Sequence, residues 1–279
     1  IGVLMVRRLL FLIVACLFGI ITPANNRPLV ALAQSPAPEP RPQPAWDGTL
    51  RRIRVPILMY HYVSNLPADA DQYRVDLTIT PELFRAHLAY LRDQGYSTIS
   101  LYQLDEALTQ GTPLPPQPVI LTFDDGYIDH YITAFPLLQE YSFTGTFFII
   151  TGLADANRPD YANWQQIREM AAAGMDMESH TKDHADLRAR DYDFLVYQLL
   201  GSLESLSAYT GHTTHMLSYP IGHYDDLTLS VVSQLPIWRA VTTDRGVFQT
   251  TDNRLEMPRV RISGNTSVAG LASLLESNQ

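Results

Sequence analysis

Thiol chemistry is nearly absent from this chain, whose only cysteine is Cys16. That residue sits in an N-terminal segment that reads as removable. The mature protein is therefore expected to have no disulfide, no cysteine nucleophile and no thiolate metal ligand. Basic charge is scarce too, with 20 Lys and Arg against 29 Asp and Glu. Removing residues 1–33 takes Arg7, Arg8 and Arg27 from the 20 and no acid from the 29, which leaves 17 basic residues and a formal charge of −12. So acidic a surface is a poor partner for nucleic acid or any other polyanion. It suits a neutral polymer, or one that turns cationic as it is processed. There is no internal repeat with a period of about 20–50 residues, and no apolar run long enough for a comfortable membrane span. What remains is an ordinary globular composition, 46% hydrophobic and 18% charged over 279 residues, enough for one sizeable core.

The apolar run that does occur, Leu9 to Ile21, follows Arg7-Arg8 and precedes Ala31-Leu32-Ala33. A charged region, a short apolar stretch and a small-x-small site form the layout of a secretory signal peptide. Two other readings stay open: a retained N-terminal anchor, and a lipobox at Ile13-Val14-Ala15-Cys16, which fits only locally. On each of them the protein is exported, either secreted or associated with the cell envelope, and meets a membrane only through an uncleaved N-terminus. Residues 34–50 form a Pro-rich linker that cannot build a core. Residues 51–279 are expected to form one catalytic domain, of the size typical for an α/β barrel.

Beyond the linker, strand-like and helix-like segments alternate. Val55–Tyr60, Pro118–Phe123, Gly145–Ile150, Met175–Ser179, His215–Tyr219 and Ile237–Thr242 read as strands. Thr80 is placed to cap a helix over Pro81–Gln94, closed by Gly95, and Ser100 one over Leu101–Gln110. Further helices are expected near Ile128–Tyr141, which Pro136 would bend, and over Trp164–Ala173, Tyr192–Thr210 and Leu227–Gln234. Alternation of this kind predicts parallel strands with helical crossovers, as a doubly wound sheet or, with six or seven units, a barrel.

Asp124-Asp125-Gly126 ends the strand Pro118–Phe123, and in β/α barrels the carboxyl ends of the strands form the active-site rim. Adjacent strand residues point to opposite faces, so both acids can reach one site only if the chain turns there, as Gly126 permits. A merely solvated turn explains the same tripeptide. His180 and His184 follow another strand, and a spacing of four on one helical turn would let both converge on a metal. With Asp125 they make a two-His, one-carboxylate set that leaves coordination positions open. Glu178 and Asp183 lie close by, either as partners of the imidazoles or as solvated charges.

Thr122-Phe123-Asp124-Asp125-Gly126, then His180-Thr181-x-x-His184 preceded by Asn163-Trp164-Gln165-Gln166-Ile167-Arg168-Glu169-Met170, resemble the NodB-type polysaccharide deacetylases, carbohydrate esterase family 4. The similarity runs from about residue 55 to 262. It implies a distorted (β/α) barrel of the NodB-homology type, with Asp124 as general base and Asp125, His180 and His184 as ligands of one divalent metal. Zinc is expected, with cobalt or nickel as alternatives. Pro56-Ile57-Leu58-Met59-Tyr60-His61 is similar to the branch acting on poly-β-1,6-N-acetylglucosamine, which implies that His61 is the general acid. Leu217-Ser218-Tyr219-Pro220-Ile221-Gly222 resembles the family's Arg-x-Pro-x-Gly loop with Ser218 in place of Arg. Ile221 then offers a backbone N–H to an oxyanion, while Tyr219, Pro220 and Tyr127 are substrate-contact candidates. Leu255-Glu256-Met257-Pro258-Arg259-Val260-Arg261 resembles a late motif of the same branch, in which Arg259 either orients Asp124 or makes a structural ion pair. Trp164 and Tyr224 are weaker groove candidates, Trp164 being read first as core.

The substrate implied is a polysaccharide, and no protein partner is. A peptidoglycan or chitin-oligomer deacetylase and an O-acetyl (xylan-type) esterase are the competing enzyme readings. A non-haem iron oxygenase shares the ligand types but not the alternating α/β pattern, and an inactive sugar-binding module would not need the acids.

Overall fold

The computed structural model describes residues 41–277; the expected signal segment, residues 1–33, and the first part of the linker lie outside them. Seven strands carry the architecture: β1 (Ile57–Tyr60), β2 (Pro118–Phe123), β3 (Thr146–Ile149), β4 (Asp176–Ser179), β5 (Met216–Ser218), β6 (Arg239–Arg245) and β7 (Met257–Arg261). Every neighbouring pair is parallel, and β1 pairs with both β2 and β7, which closes the sheet into a barrel. The barrel expectation therefore holds. The register of β6 against β7 shifts between Val241 and Arg245. A side ribbon, Arg52–Arg54 antiparallel to Phe248–Thr250, lies outside the ring.

Strand alternation sorts the side chains. Leu58, Tyr60, Leu121, Phe123, Phe147 and Ile149 join one buried cluster with residues of the helices Pro81–Asp93, Phe135–Glu140, Trp164–Ala172 and Val268–Glu276. Phe123 stacks between Tyr60 and Phe147 at centroid distances of 5.4 and 4.7 Å, and losing such a buried ring costs about 3–5 kcal/mol. Their neighbours in sequence, Ile57, Ile120 and Phe148, cluster instead with Leu101, Leu104 and Leu108 from one face of the helix Leu101–Gln110. Toward the carboxyl end the apolar filling gives way to a buried polar layer of Thr122, Asp124, His180, Ser218 and Arg259.

Helix starts follow the chemistry expected of them. Thr80 accepts from the Leu83 N–H, and Ser100 forms a reciprocal capping box with Gln103. Pro136 shapes its helix as a widened turn rather than a simple bend. It has no N–H to return to the preceding turn, and His130–Ala134 just before it is π-helical. Among the described residues no helix is long and apolar enough to cross a membrane.

Candidate metal centre and active site

The turn after β2 separates the two acids. Asp125 and Gly126 both take positive φ, +81° and +75°, a pairing tolerated because Asp is among the few non-Gly residues that visit this region. As a result Asp124 stays in the barrel mouth and Asp125 swings beside it, and both line the same cavity. Gly126 is packed against Ile149 closely enough that a Cβ would lie 3.2 Å from its Cδ1.

His180 and His184 meet Asp125, but not on a helical turn as their spacing suggested. They lie on a loop in which Thr181 and His184 have φ of +65° and +55°. The bends fold the chain so that each Nε2 comes 3.3 Å from Asp125 Oδ1. Two donors about 2.05 Å from a tetrahedral ion stand roughly 3.3 Å apart, so the three residues fit a divalent cation. All three ligand atoms lie within 4.8 Å of one another. The Nδ1–H of His180 donates to the Ser218 carbonyl at 2.7 Å, which leaves Nε2 as the nitrogen free to face a cation. Burial, and then the proton-bearing tendency of His180, push His184 down to about 4, the neutral form that a ligand needs.

Gln198, on the helix Tyr192–Thr210, holds this loop. Its side chain accepts from the Asp183 N–H at 3.0 Å and donates to the Asp183 carboxylate at 2.8 Å, while its carbonyl accepts from Lys182 N–H at 3.1 Å. Asp183 is thus bound to Gln198 rather than to an imidazole. Glu178 is neither an imidazole partner nor a solvated charge. It is buried within the barrel, accepting from the Tyr102 hydroxyl at 2.7 Å and the Met216 N–H at 2.9 Å.

Asp124 is gripped from β7 and β5. Arg259 donates to its two oxygens at 2.8 and 2.6 Å, and Ser218 Oγ adds a bond of 3.2 Å. The same guanidinium bonds the Thr242 carbonyl, Thr122 Oγ1 and Ser218 Oγ. Ser218 is small enough to leave room for this fork, and Arg259 supplies from β7 the cation absent at position 218. Burial alone would raise the Asp124 pKa, but Arg259 outweighs it and holds the carboxyl near 2.

His61 follows β1 and lines the cavity with both acids. Its Nδ1 is buried without a partner, and its carbonyl accepts from His130 Nε2–H at 2.6 Å. Burial lowers its pKa, against an upward pull from Asp124 and Asp125. Across the mouth, Tyr219 is buried with its hydroxyl unpartnered, and Ile221, at φ +61°, is half exposed; both line the cavity. Pro220 is buried beneath that turn, off the cavity wall, as is Arg259 behind Asp124. Tyr127 lines the cavity and stacks on Tyr62 at 3.6 Å. Trp164 does not; it stacks on Tyr209 at 4.2 Å and donates to Asp155, and Tyr224, also off the cavity wall, donates its hydroxyl to Glu256 at 3.0 Å. The cavity measures about 470 Å³, and its wall includes Tyr73, Tyr161, Thr243 and Arg261, none anticipated from sequence. Tyr73, in the short helix Gln72–Leu77, and Tyr161, in a loop, carry no periodic or motif signal that would have found them.

The sequence profile of the Polysaccharide deacetylase family matches residues 111–239. YxkH of Bacillus subtilis (strain 168), whose name places it among polysaccharide deacetylases, is 30% identical over 233 residues, covering 84% of this chain and 80% of that protein. The chain belongs to the polysaccharide deacetylase family. Among solved structures, the Streptococcus pyogenes deacetylase PplD, in complex with acetate, superposes with a TM-score of 0.75 at 31% identity, covering 81% of this chain and all of that one. The Escherichia coli (strain K12) poly-β-1,6-N-acetyl-D-glucosamine N-deacetylase is 33% identical over 119 residues. That match takes in 38% of this deacetylase and only 18% of the longer relative.

Proposed function

We propose that this deacetylase is an exported, metal-dependent N-deacetylase of polysaccharides containing N-acetylglucosamine, with poly-β-1,6-N-acetylglucosamine as the favoured substrate. One observation carries the reading. The turn at Asp125-Gly126 gives one strand end two carboxylates with separate environments, Asp125 facing two imidazoles and Asp124 facing Arg259. The first is a ligand set and the second an ionised base. His61 at the end of β1 and the partial likeness to the Escherichia coli enzyme support the exopolysaccharide substrate. The apolar segment ahead of the Pro-rich linker supports export, where such a glycan would be met, with residues 51–279 as the catalytic domain.

Asp125, His180 and His184 would hold the ion, zinc being favoured, which when bound lowers the pKa of water toward about 7 and polarises the acetyl carbonyl. Asp124, ionised at any working pH, accepts the proton of the attacking water. The Ile221 N–H donates to the developing oxyanion, and Tyr127 and Tyr219 wall the sugar. His61 delivers a proton to the departing amine, so that one amide and one water yield glucosamine and acetate. Acetate release from poly-β-1,6-N-acetylglucosamine, chitin oligomers, peptidoglycan and acetylated xylan tests this. Release from the first, abolished by Asp124→Asn with metal still bound, is the expected result. Release from xylan alone would make the protein an O-esterase.

A further inference from the structure

The turn that carries Ile221 is strained, and its surroundings have to hold it. Ile221 has φ of +61° and Gly222 of +75°, two left-handed residues in succession. Glycine enters that region freely, but a β-branched residue stays there only where its neighbours impose it. The leading end of the turn is fixed. Tyr219 N–H donates to the Val241 carbonyl at 3.2 Å, and the ring of Pro220 sets its φ. The middle rests on β6, where a Cβ on Gly222 would run into Thr243 Oγ1.

The trailing end is met by a side chain from another loop. His223 follows Ile221 by two residues, is half-buried, and has its Nδ1 3.0 Å from Oδ2 of Asp186. A carboxylate only accepts, so Nδ1 carries the proton. Asp186 is itself braced within its own loop. Its carboxylate accepts from the Arg188 N–H at 3.0 Å and from the Arg188 guanidinium at 2.6 Å, and its carbonyl accepts from Arg190 at 2.9 Å. The other ties of this end lie farther along the chain. Tyr224 packs on Tyr219 at 4.6 Å, and Asp225 accepts from the Ala189 N–H at 2.7 Å while capping the helix Asp226–Gln234. His223 is thus the side-chain anchor next to the left-handed pair.

We propose that His223 is a positioning residue, whose bond to Asp186 clamps Ile221 in the left-handed conformation that aims its N–H at the oxyanion. Neither His223 nor Asp186 lines the reaction cavity, so the pair acts through the backbone and not on the substrate. The role rests on the deacetylase mechanism above, in which the Ile221 N–H is the oxyanion donor. The clamp sets one hydrogen bond against the strain of one residue. When His223 lets go, the turn relaxes toward negative φ and carries the N–H off its target.

Two measurements on the full chain test this, and the first needs no substrate. Urea midpoints are compared for His223→Ala, Ile221→Gly and the double variant. Loss of His223 removes a bond but releases the strain of Ile221. The midpoint should therefore drop less in the unmutated chain than in the Ile221→Gly chain, which has no strain to release; equal drops overturn the clamp. The second measurement is acetate release. His223→Ala should cut kcat about tenfold with KM unchanged, short of the roughly 10²–10³-fold lost when an oxyanion donor is removed outright. His223→Asn places an amide N–H where Nδ1 stood and should restore most of kcat. In the Ile221→Gly chain the loss on His223→Ala should shrink to about twofold. Asp225→Ala, which loses a helix cap and a tie between the same two loops, should lower the midpoint without this fall in kcat. A parallel loss of zinc affinity, read with a chelating dye, would place the effect on His184 and overturn the proposal. So would a loss confined to KM, or one that Asn does not restore. If the unmutated chain releases no acetate, the parent reading fails, and the midpoint comparison still judges the clamp.

Discussion

The grip of Arg259 on Asp124 can be measured without relying on turnover. The guanidinium and carboxylate are both buried, and two charge-assisted bonds of 2.8 and 2.6 Å join them. Removing one partner of such a pair leaves an uncompensated charge in a low-dielectric layer and costs about 3–5 kcal/mol. Arg259→Met should therefore lower unfolding stability by that amount, and Asp124→Asn by somewhat less, since the amide oxygen still accepts one bond. In the double variant neither charge remains to be desolvated, so its loss should fall well short of the sum. The expected coupling is about 2–3 kcal/mol, in the range of close buried charge pairs. Arg259→Lys keeps the charge but cannot span Asp124, Thr122, Ser218 and the Thr242 carbonyl at once, so it should behave more like Met than like wild type. Urea denaturation of the four proteins at neutral pH gives the cycle directly. A coupling below about 0.5 kcal/mol, the additivity expected of independent sites, would refute the claim that this fork fixes the base.

Gln198→Ala should weaken zinc binding about 10- to 100-fold, as loss of support behind metal ligands commonly does; competition with a chelating dye reads it, and unchanged affinity would show that the 180–184 loop holds itself. Gly222→Ala should destabilise the fold and cut activity, because Gly222 has φ +75° and a Cβ there would run into Thr243 Oγ1; Thr243→Ala should restore part of the denaturation midpoint. His87 is buried, its Nδ1 accepting from the Tyr60 hydroxyl and its Nε2–H donating to the Thr266 carbonyl. Burial lowers its folded pKa below the usual 6.5, so the unfolded chain takes up the proton first. His87 should thus cost stability as pH falls below about 6.5, by at most about 1.4 kcal/mol per unit. Between pH 7.5 and 5, His87→Gln should lose stability less steeply than wild type, and parallel slopes would contradict it.

The fold was legible wherever the local pattern and the tertiary need agreed. β2 and the helices Leu101–Gln110 and Tyr192–Thr210 fall where the apolar pattern placed them, and most other ends differ by a residue or two. The strand β7 was seen only as a motif, and the reason is physical. Pro258, Arg259 and Arg261 interrupt the apolar alternation that marks the other strands, yet Arg259 is buried because its charge is spent on Asp124 inside the barrel. The same strand closes the ring against β1, so an unread strand completes both the architecture and the base.

For the site, residue types were legible and backbone geometry was not. The spacing of His180 and His184 suggested one turn of helix, whereas the loop reaches the same convergence through two left-handed residues and an anchor, Gln198, located in another element. No local pattern reports an anchor whose partner lies on the far side of a strand-to-helix connection. Ser218 shows the converse. Read alone it looked like the loss of an arginine; in three dimensions it is the space that lets Arg259 approach from β7 and donate to both oxygens of Asp124. A charge needed at one point in space can come from any strand whose register reaches it, so a motif that lacks its usual residue is evidence about geometry before it is evidence about lost activity.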